Sequence, residues 1–305
     1  DQAAENDNIG TVYVEESDGT FYGAIDLKDL IIARDYTQLE DLISTSYPYV
    51  YAKETVEQCI EDLKDYSEDS IPVLDNDNRI LGVITAQDLI EVVDEEMGED
   101  YAMLGGLTAE EDIQEPIFQS IRKRIPWLII LMFLGLGVSA VVGIFEKVVA
   151  ELTLVMAFQS LILGMSGNVG TQSLAVTIRV LMDENLSMKE KLHLVWKETR
   201  IGFSNGVLLG ILGFGIIGVY IWLVKGKPIL FAFAVSGCIG LALVAAMMIS
   251  GFNGAMIPIM FKKMKMDPAI ASGPLISTIN DLVGVVVYYG LAWIFLINIL
   301  HLNLL

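Results

Sequence analysis

The spacing of apolar residues divides the chain in two. From Ile125 onward, long apolar runs follow one another across short polar breaks: Ile125–Phe145, Leu152–Met182, Ile201–Val224, Ile229–Phe261 and Ala269–Leu300. Each reaches the roughly 20 residues needed to cross a hydrocarbon core, and a buried helix of a soluble domain would not run so long without charges. Five membrane-spanning helices are predicted. Ahead of Ile125 the apolar runs are short and bounded by turn residues, as strands are. They repeat at an offset of 59 residues. Thr11-Val12-Tyr13-Val14 matches Ser70-Ile71-Pro72-Val73, Asp18 matches Asp77, and Gly23-Ala24-Ile25-Asp26 through Ile31 matches Gly82-Val83-Ile84-Thr85 through Ile90. Each copy reads as strand, polar turn, strand, helix. The second copy also has a preceding helix, about Glu54–Tyr66, with Val56, Ile60 and Leu63 at helical spacing. The first copy lacks its opening strand and helix, so the chain reads as the back part of a longer polypeptide.

Charge follows the same division. The 305 residues are 53% hydrophobic and carry a net charge of −20. Residues 1–121 hold 31 acidic against 5 basic side chains, a net of −26, whereas residues 122–305 hold 8 against 14, a net of +6. So acidic a first half would repel phosphates, which argues against nucleic acid as a partner. Cys59 and Cys238 lie in different halves and give no disulfide framework. The polar, acidic N-terminus does not read as a signal peptide.

Lysine and arginine set the expected orientation. Arg122, Lys123 and Arg124 precede the first span; Arg179, Lys189, Lys191, Lys197 and Arg200 are read as the loop after the second; Lys262, Lys263 and Lys265 follow the fourth. The opposite loops hold only Lys147, then Lys225 and Lys227. The protein is therefore expected in the cell's inner (plasma) membrane, multi-pass, with its N-terminal domain cytoplasmic and its C-terminus outside. Within the membrane half, Gly164-Met165-Ser166-Gly167-Asn168-Val169-Gly170-Thr171-Gln172 and Ser250-Gly251-Phe252-Asn253-Gly254 with Pro258 are expected either to interrupt their spans or to pack helices closely. Asp281 is the deepest charge, the only acidic or basic side chain between Ala269 and Leu300. A lone charge at that depth costs about 2.5–3.5 kcal/mol on insertion scales. It is expected to face a cavity and be compensated by a cation, or to be protonated and hydrogen-bonded by Ser277, Thr278 or Asn280.

The repeated unit resembles a pair of CBS domains, with the Gly-x-x-[Ser/Thr]-x-x-Asp signature at Gly82, Thr85 and Asp88. That resemblance implies adenine nucleotide binding, ATP for instance, with Thr85 toward phosphate and Asp88 toward ribose, or a nucleotide-free dimerisation module. Asp26 stands where the first copy would carry Ser or Thr. Between Glu91 and Lys123 lie two acidic clusters, Asp94-Glu95-Glu96 with Glu99-Asp100, and Glu110-Glu111-Asp112 with Glu115. Divalent cations between such carboxylates would relieve their repulsion.

In this order the parts resemble the MgtE-type magnesium transporter family. The resemblance rests on Gly164-x-x-Gly167-Asn168-x-Gly170-x-Gln172, on Gly254-Ala255-x-x-Pro258 followed by Asp267-Pro268-Ala269, and on Pro274-x-x-x-Thr278-x-x-Asp281. It implies an α+β CBS-domain pair (1–92), a connecting helix (93–124) and an all-α membrane domain of five transmembrane helices (125–305). It implies no enzyme but a homodimeric channel passing Mg2+ into the cytoplasm. Asp281, Ser277 and Gly273 would hold the ion, and Asn168, Gln172, Asn253, Pro258, Pro274 and Thr278 would line the path. A regulatory Mg2+ would join Asp267 to Glu115, Glu111 or Asp112, with Asp100 and Glu99 in the same acidic region. Two other functions fit the pattern: a magnesium-sensing receptor without conduction, and a proton-coupled divalent-cation exporter using Asp281. An intramembrane metalloprotease does not fit, since only His193 and His301 exist.

Overall fold

The computed structural model describes residues 10–34, 36–55, 59, 68, 70–108, 114–146, 150, 153–183 and 186–299. It divides into two compact units, residues 1–98 and 99–305. In the first unit, β1 (Thr11–Glu15) pairs antiparallel with β2 (Phe21–Asp26), which leads into α1 (Leu27–Ile32). A second sheet follows: β3 (Val50–Tyr51) lies parallel to β4 (Ser70–Leu74), which pairs antiparallel with β5 (Ile80–Thr85). From β5 the chain enters α2 (Ala86–Leu104). The helix expected at Glu54–Tyr66 lies outside the described residues but for Glu54 and Thr55, which are not helical, and Cys59, which is.

The repeat is reproduced residue by residue. Thr11 pairs with Asp26 as Ser70 pairs with Thr85, and both hairpins shift register at the equivalent step, Val14/Glu15 and Val73/Leu74. The hairpin turns reach the left-handed region at equivalent residues, Gly19 (φ 84°) and Asn78 (φ 58°), as Gly and Asn do most readily. Ser70 ties the copies together: its Oγ shares a 2.7 Å hydrogen bond with Tyr13 Oη, and its carbonyl accepts one from Tyr47 Oη, also 2.7 Å. Burial pushes the Tyr13 phenol up to about 12.

The second unit is helical. Its long helices are α3 (Ile117–Ile144), α4 (Gln159–Asp183), α5 (Met188–Leu223), α6 (Ile229–Lys263) and α7 (Gly273–Leu291), the last continued by a π-helical stretch, Ala292–Ile299. Among the described residues, five helices are long and apolar enough to cross a membrane. Three expectations are corrected. The glycine-rich segments do not interrupt their spans, because α4 and α6 run unbroken through Gly164–Gln172 and through Pro258. The first helix begins at Ile117 and the fifth at Gly273, not at Ile125 and Ala269. Arg179, Lys189, Lys191, Lys197 and Arg200 lie on α4 and α5 instead of in a loop. With 36 residues α5 is about 54 Å long, against a hydrocarbon core of about 30 Å, so its basic first turns have length to spare beyond the core. Of residues 93–124, 93–104 end α2 and 117–124 begin α3.

Small residues bring these helices together. On α5, Gly202, Gly206 and Gly210 stand at four-residue spacing against the α6 backbone, where an added Cβ at Gly206 would lie 2.7 Å from Val244 Cα and one at Gly210 2.9 Å from the Gly240 carbonyl. Such spacing lets helix backbones approach closely. The main core gathers Ile162, Ile217, Ile221, Ile239, Met247 and Tyr288 between α4, α5, α6 and α7.

Candidate functional site

The site is built on α7. Asp267 caps the short 3-10 turn Pro268–Ile270, its Oδ1 accepting from Ala269 N–H at 2.7 Å. Ser272 caps α7, with Pro274 in the first turn where its missing N–H costs nothing. Residues four apart share a helix face, so Gly273, Ser277 and Asp281 form one stripe, about 12 Å long at 1.5 Å per residue. Asn280 turns to the buried side with Ile276 and Gly284. The sequence thus puts the three expected ion-holding residues in line and packs the next face against α4 and α6.

That packing is polar at its centre. Thr171 Oγ1 lies 3.3 Å from Ser277 Oγ, and Ser166 Oγ donates to the Asn280 carbonyl at 3.1 Å. Asn253 Nδ2 donates to Asn280 Oδ1 at 3.0 Å, while Asn280 Nδ2 is buried without a partner among the described residues. Glycine makes room here: a Cβ at Gly170 would run into the Asn280 amide, and one at Gly254 into the Gly170 carbonyl. Thr278 Oγ1 donates to the Pro274 carbonyl at 2.8 Å. None of Ser277, Thr278 and Asn280 is therefore spent on Asp281. The half-buried Asp281 carboxylate has no hydrogen-bond or ion-pair partner among the described residues. Asn168 and Gln172 line a separate cleft of about 590 Å³ with Met165, Thr171 and Asn205. Pro258 is buried within α6.

Of the residues expected to form a regulatory site, Asp267 caps the turn before α7. Glu115 is ion-paired with Lys123, and its Oε2 is buried without a partner among the described residues. Asp100 and Glu99 lie on α2, and Glu111 and Asp112 lie outside the described residues. Among the described residues no three His, Cys, Asp or Glu side chains group to hold a metal ion. Thr85 and Asp88 are engaged with each other: Asp88 Oδ2 accepts from Thr85 N–H (2.9 Å) and Oγ1 (2.8 Å), and Asp88 N–H donates to Thr85 Oγ1 (3.2 Å). This reciprocal cap starts α2, and the two Thr85 hydrogen bonds lower the Asp88 pKa. Asp26 does the same work in the first copy, accepting from Lys28 N–H at 2.8 Å.

Two contacts were missed by sequence reasoning. Glu198 is buried and accepts from Ser173 Oγ at 2.9 Å; its signal was its place on the Gly202–Gly206–Gly210 stripe, four residues earlier. Trp127 Nε1 donates to Ser272 Oγ at 2.9 Å, joining α3 to the start of α7.

Comparison with known proteins agrees with this layout. Residues 159–291 match the MgtE family model, a divalent cation transporter, and residues 39–95 match the CBS domain model. The chain is 34% identical to the magnesium transporter MgtE of Enterococcus faecalis, over 97% of this chain and 63% of that protein. It is 32% identical to the magnesium transporter MgtE of Bacillus subtilis, over 95% of this chain and 62% of that protein. It thus spans a little under two thirds of these relatives' length. A crystal structure of the cytosolic domain of the Mg2+ channel MgtE in complex with ATP is 28% identical, covering 30% of this chain and 36% of that chain; the TM-score of 0.28 is too low to bear on fold or ligand. The chain thus carries a match to the CBS domain model in residues 39–95 and a match to the MgtE divalent cation transporter model in residues 159–291.

Proposed function

We propose that the membrane domain is a pathway by which Mg2+ enters the cytoplasm, with Asp281 as its central charge. The observation that carries this reading is the Asp281 carboxylate, eight residues inside α7, in line with Ser277 and Gly273, and without a protein partner among the described residues. A carboxylate at membrane depth is stabilised by a cation or by water in a cavity. The relatives' name, magnesium transporter, supports Mg2+ as that cation.

Two copies of the chain related by a twofold axis would place two Asp281 carboxylates together, matching a divalent ion in charge, and twofold dimers are the commonest oligomer. Magnesium gives up its waters reluctantly and takes one or two carboxylates while keeping several of them. The stripe suits that chemistry: carboxylates at Asp281 hold the hydrated ion, and the Ser277 hydroxyl and the backbone toward Gly273 meet its water shell. At about 100 mV, inside negative, a divalent cation gains about 4.6 kcal/mol on entry, so no nucleotide hydrolysis is required. In this proposal Asp267 and the acids at Glu115, Glu111, Asp112, Asp100 and Glu99 sense cytoplasmic Mg2+ and close the path. Among the described residues Glu115 Oε2 has no partner, which supports a cation there. ATP binding at Thr85 and Asp88 would have to use the atoms their mutual cap leaves free.

The test is Mg2+ entry into liposomes carrying the purified chain, with an inside-negative potential and no pH gradient. Entry driven by the potential alone is expected. A requirement for a proton gradient would make the protein an exchanger, and absence of flux from folded protein would make it a receptor.

A further inference from the structure

We propose that the cleft between the first turns of α5 and the last turns of α6 binds an anionic phospholipid. The cleft has a volume of about 250 Å³, and Leu192, Val195, Met256, Ile259 and Met260 line its apolar part. Lys191, Lys262 and Lys263 line the same cleft, with no acidic residue among the lining. The cleft therefore has an apolar body and a cationic rim.

Its position suits a lipid. Lys191 sits one turn into α5, and Lys262 and Lys263 are in the last turn of α6, where both apolar runs give way to charge. This is the level at which headgroups lie. Basic pockets between membrane helices at that level take phosphate-bearing headgroups. The lysines are not neutralised from within: Lys262 Nζ donates to the Leu181 carbonyl, a neutral group. The nearby Glu190 is held by Ser187, whose N–H and Oγ both donate to its Oε2, at 2.8 and 2.6 Å. Among the described residues none of the three lysines forms an ion pair.

The apolar lining decides between a lipid and a free phosphate. A phosphate ion would use the lysines and gain nothing from Met256, Met260 and Ile259. An acyl chain would cover them, and the unbranched methionine side chain adapts to such an irregular partner. Lysines near the surface also cover apolar area with their stems while the ammonium group stays at the headgroup level.

The test is native mass spectrometry of the full chain purified in detergent and exchanged with mixed micelles of dioleoylphosphatidylglycerol and dioleoylphosphatidylcholine. Wild type is expected to retain phosphatidylglycerol over phosphatidylcholine. Each lysine should contribute a factor of about five, or about 1 kcal/mol, so Lys191→Gln with Lys263→Gln should lower retention roughly 25-fold. Met260→Trp narrows the cleft and leaves every lysine in place, so it should also lower retention. Lys225→Gln with Lys227→Gln, at the other end of α5, should leave it unchanged. Equal retention of the two lipids would overturn the proposal, as would loss of retention in the Lys225/Lys227 control equal to that in the Lys191/Lys263 variant. Unchanged retention in Met260→Trp would make the attraction a diffuse one and overturn the cleft, and displacement by glycerol 3-phosphate as effective as by phosphatidylglycerol would make it a phosphate site.

Discussion

Gly106 should be among the least replaceable residues of the membrane unit. It ends α2 in the left-handed region at φ 84°, with Gly106 N–H bonded to the Met103 carbonyl at 2.9 Å and Leu107 N–H to the Ala102 carbonyl at 3.0 Å, the paired bonds of a Schellman cap. A Cβ added there would lie 2.6 Å from Trp127 Cδ1 and 3.3 Å from Pro274 Cγ. For Gly106→Ala the left-handed backbone costs about 1–2 kcal/mol, and overpacking against the indole about 1–3 kcal/mol. Displacing Trp127 from Ser272 removes a hydrogen bond worth about 0.5–1.5 kcal/mol. The stiffer unfolded chain offsets about 0.4–1 kcal/mol, leaving a net loss of about 1.5–6 kcal/mol. Thermal unfolding of the purified full chain measures it, and a double-mutant cycle with Trp127→Ala isolates the contact. In the Trp127→Ala background Gly106→Ala should cost only about 0–1.5 kcal/mol, since the backbone term alone remains. An equal cost in both backgrounds would refute the contact between the end of α2 and the start of α7.

Lys265 occupies the corresponding cap position at the end of α6 with φ 58°, so Lys265→Gly should stabilise by about 1 kcal/mol and raise the unfolding midpoint by about 2–4 °C. Asn253→Ala removes the donor to Asn280 Oδ1 and leaves a buried acceptor alone; a loss of about 1–3 kcal/mol is expected, and no loss would show that the amide pair contributes nothing. Asp88 has a lowered pKa when folded, so its cap stabilises above the ordinary carboxylate pKa of about 3.9 and is lost as pH falls through the folded value. Between about pH 5 and pH 2, the CBS unit should lose more thermal stability in wild type than in Asp88→Asn; equal losses would show that the cap does not distinguish the two charge states.

Much of this was legible because period and length are strong signals. The offset of 59 residues between the two hairpins carried through to the register shift and to the turn residues Gly19 and Asn78. The five apolar helices followed from length alone. Their ends did not, because Ile117–Phe118 and Met188–Leu194 continue the helical pattern past the edge of the apolar runs, and the Ser187–Glu190 cap fixes the start of α5. Asp281 was legible by its isolation, whereas Ser277 and Gly273 entered only through the family resemblance and their place in line with Asp281 came from the helix itself. Which way Asn253, Asn280 and Glu198 turn depends on neighbours remote in sequence, so side chain by side chain the polar centre emerged only from the packing. Glycine content was ambiguous for the same reason: Gly170 and Gly254 could have broken their helices, and instead admit Asn280 and the Gly170 carbonyl.

The central claim rests on one carboxylate, and its removal is the most direct measurement. Liposomes holding wild type, Asp281→Asn or Asp281→Glu at equal density would be given external Mg2+ and an inside-negative potential, and entry followed with an internal magnesium dye. The account predicts rapid entry in wild type, its loss in Asp281→Asn, and partial recovery in Asp281→Glu, which keeps the charge and shifts its position. Wild-type entry rates in Asp281→Asn would contradict it.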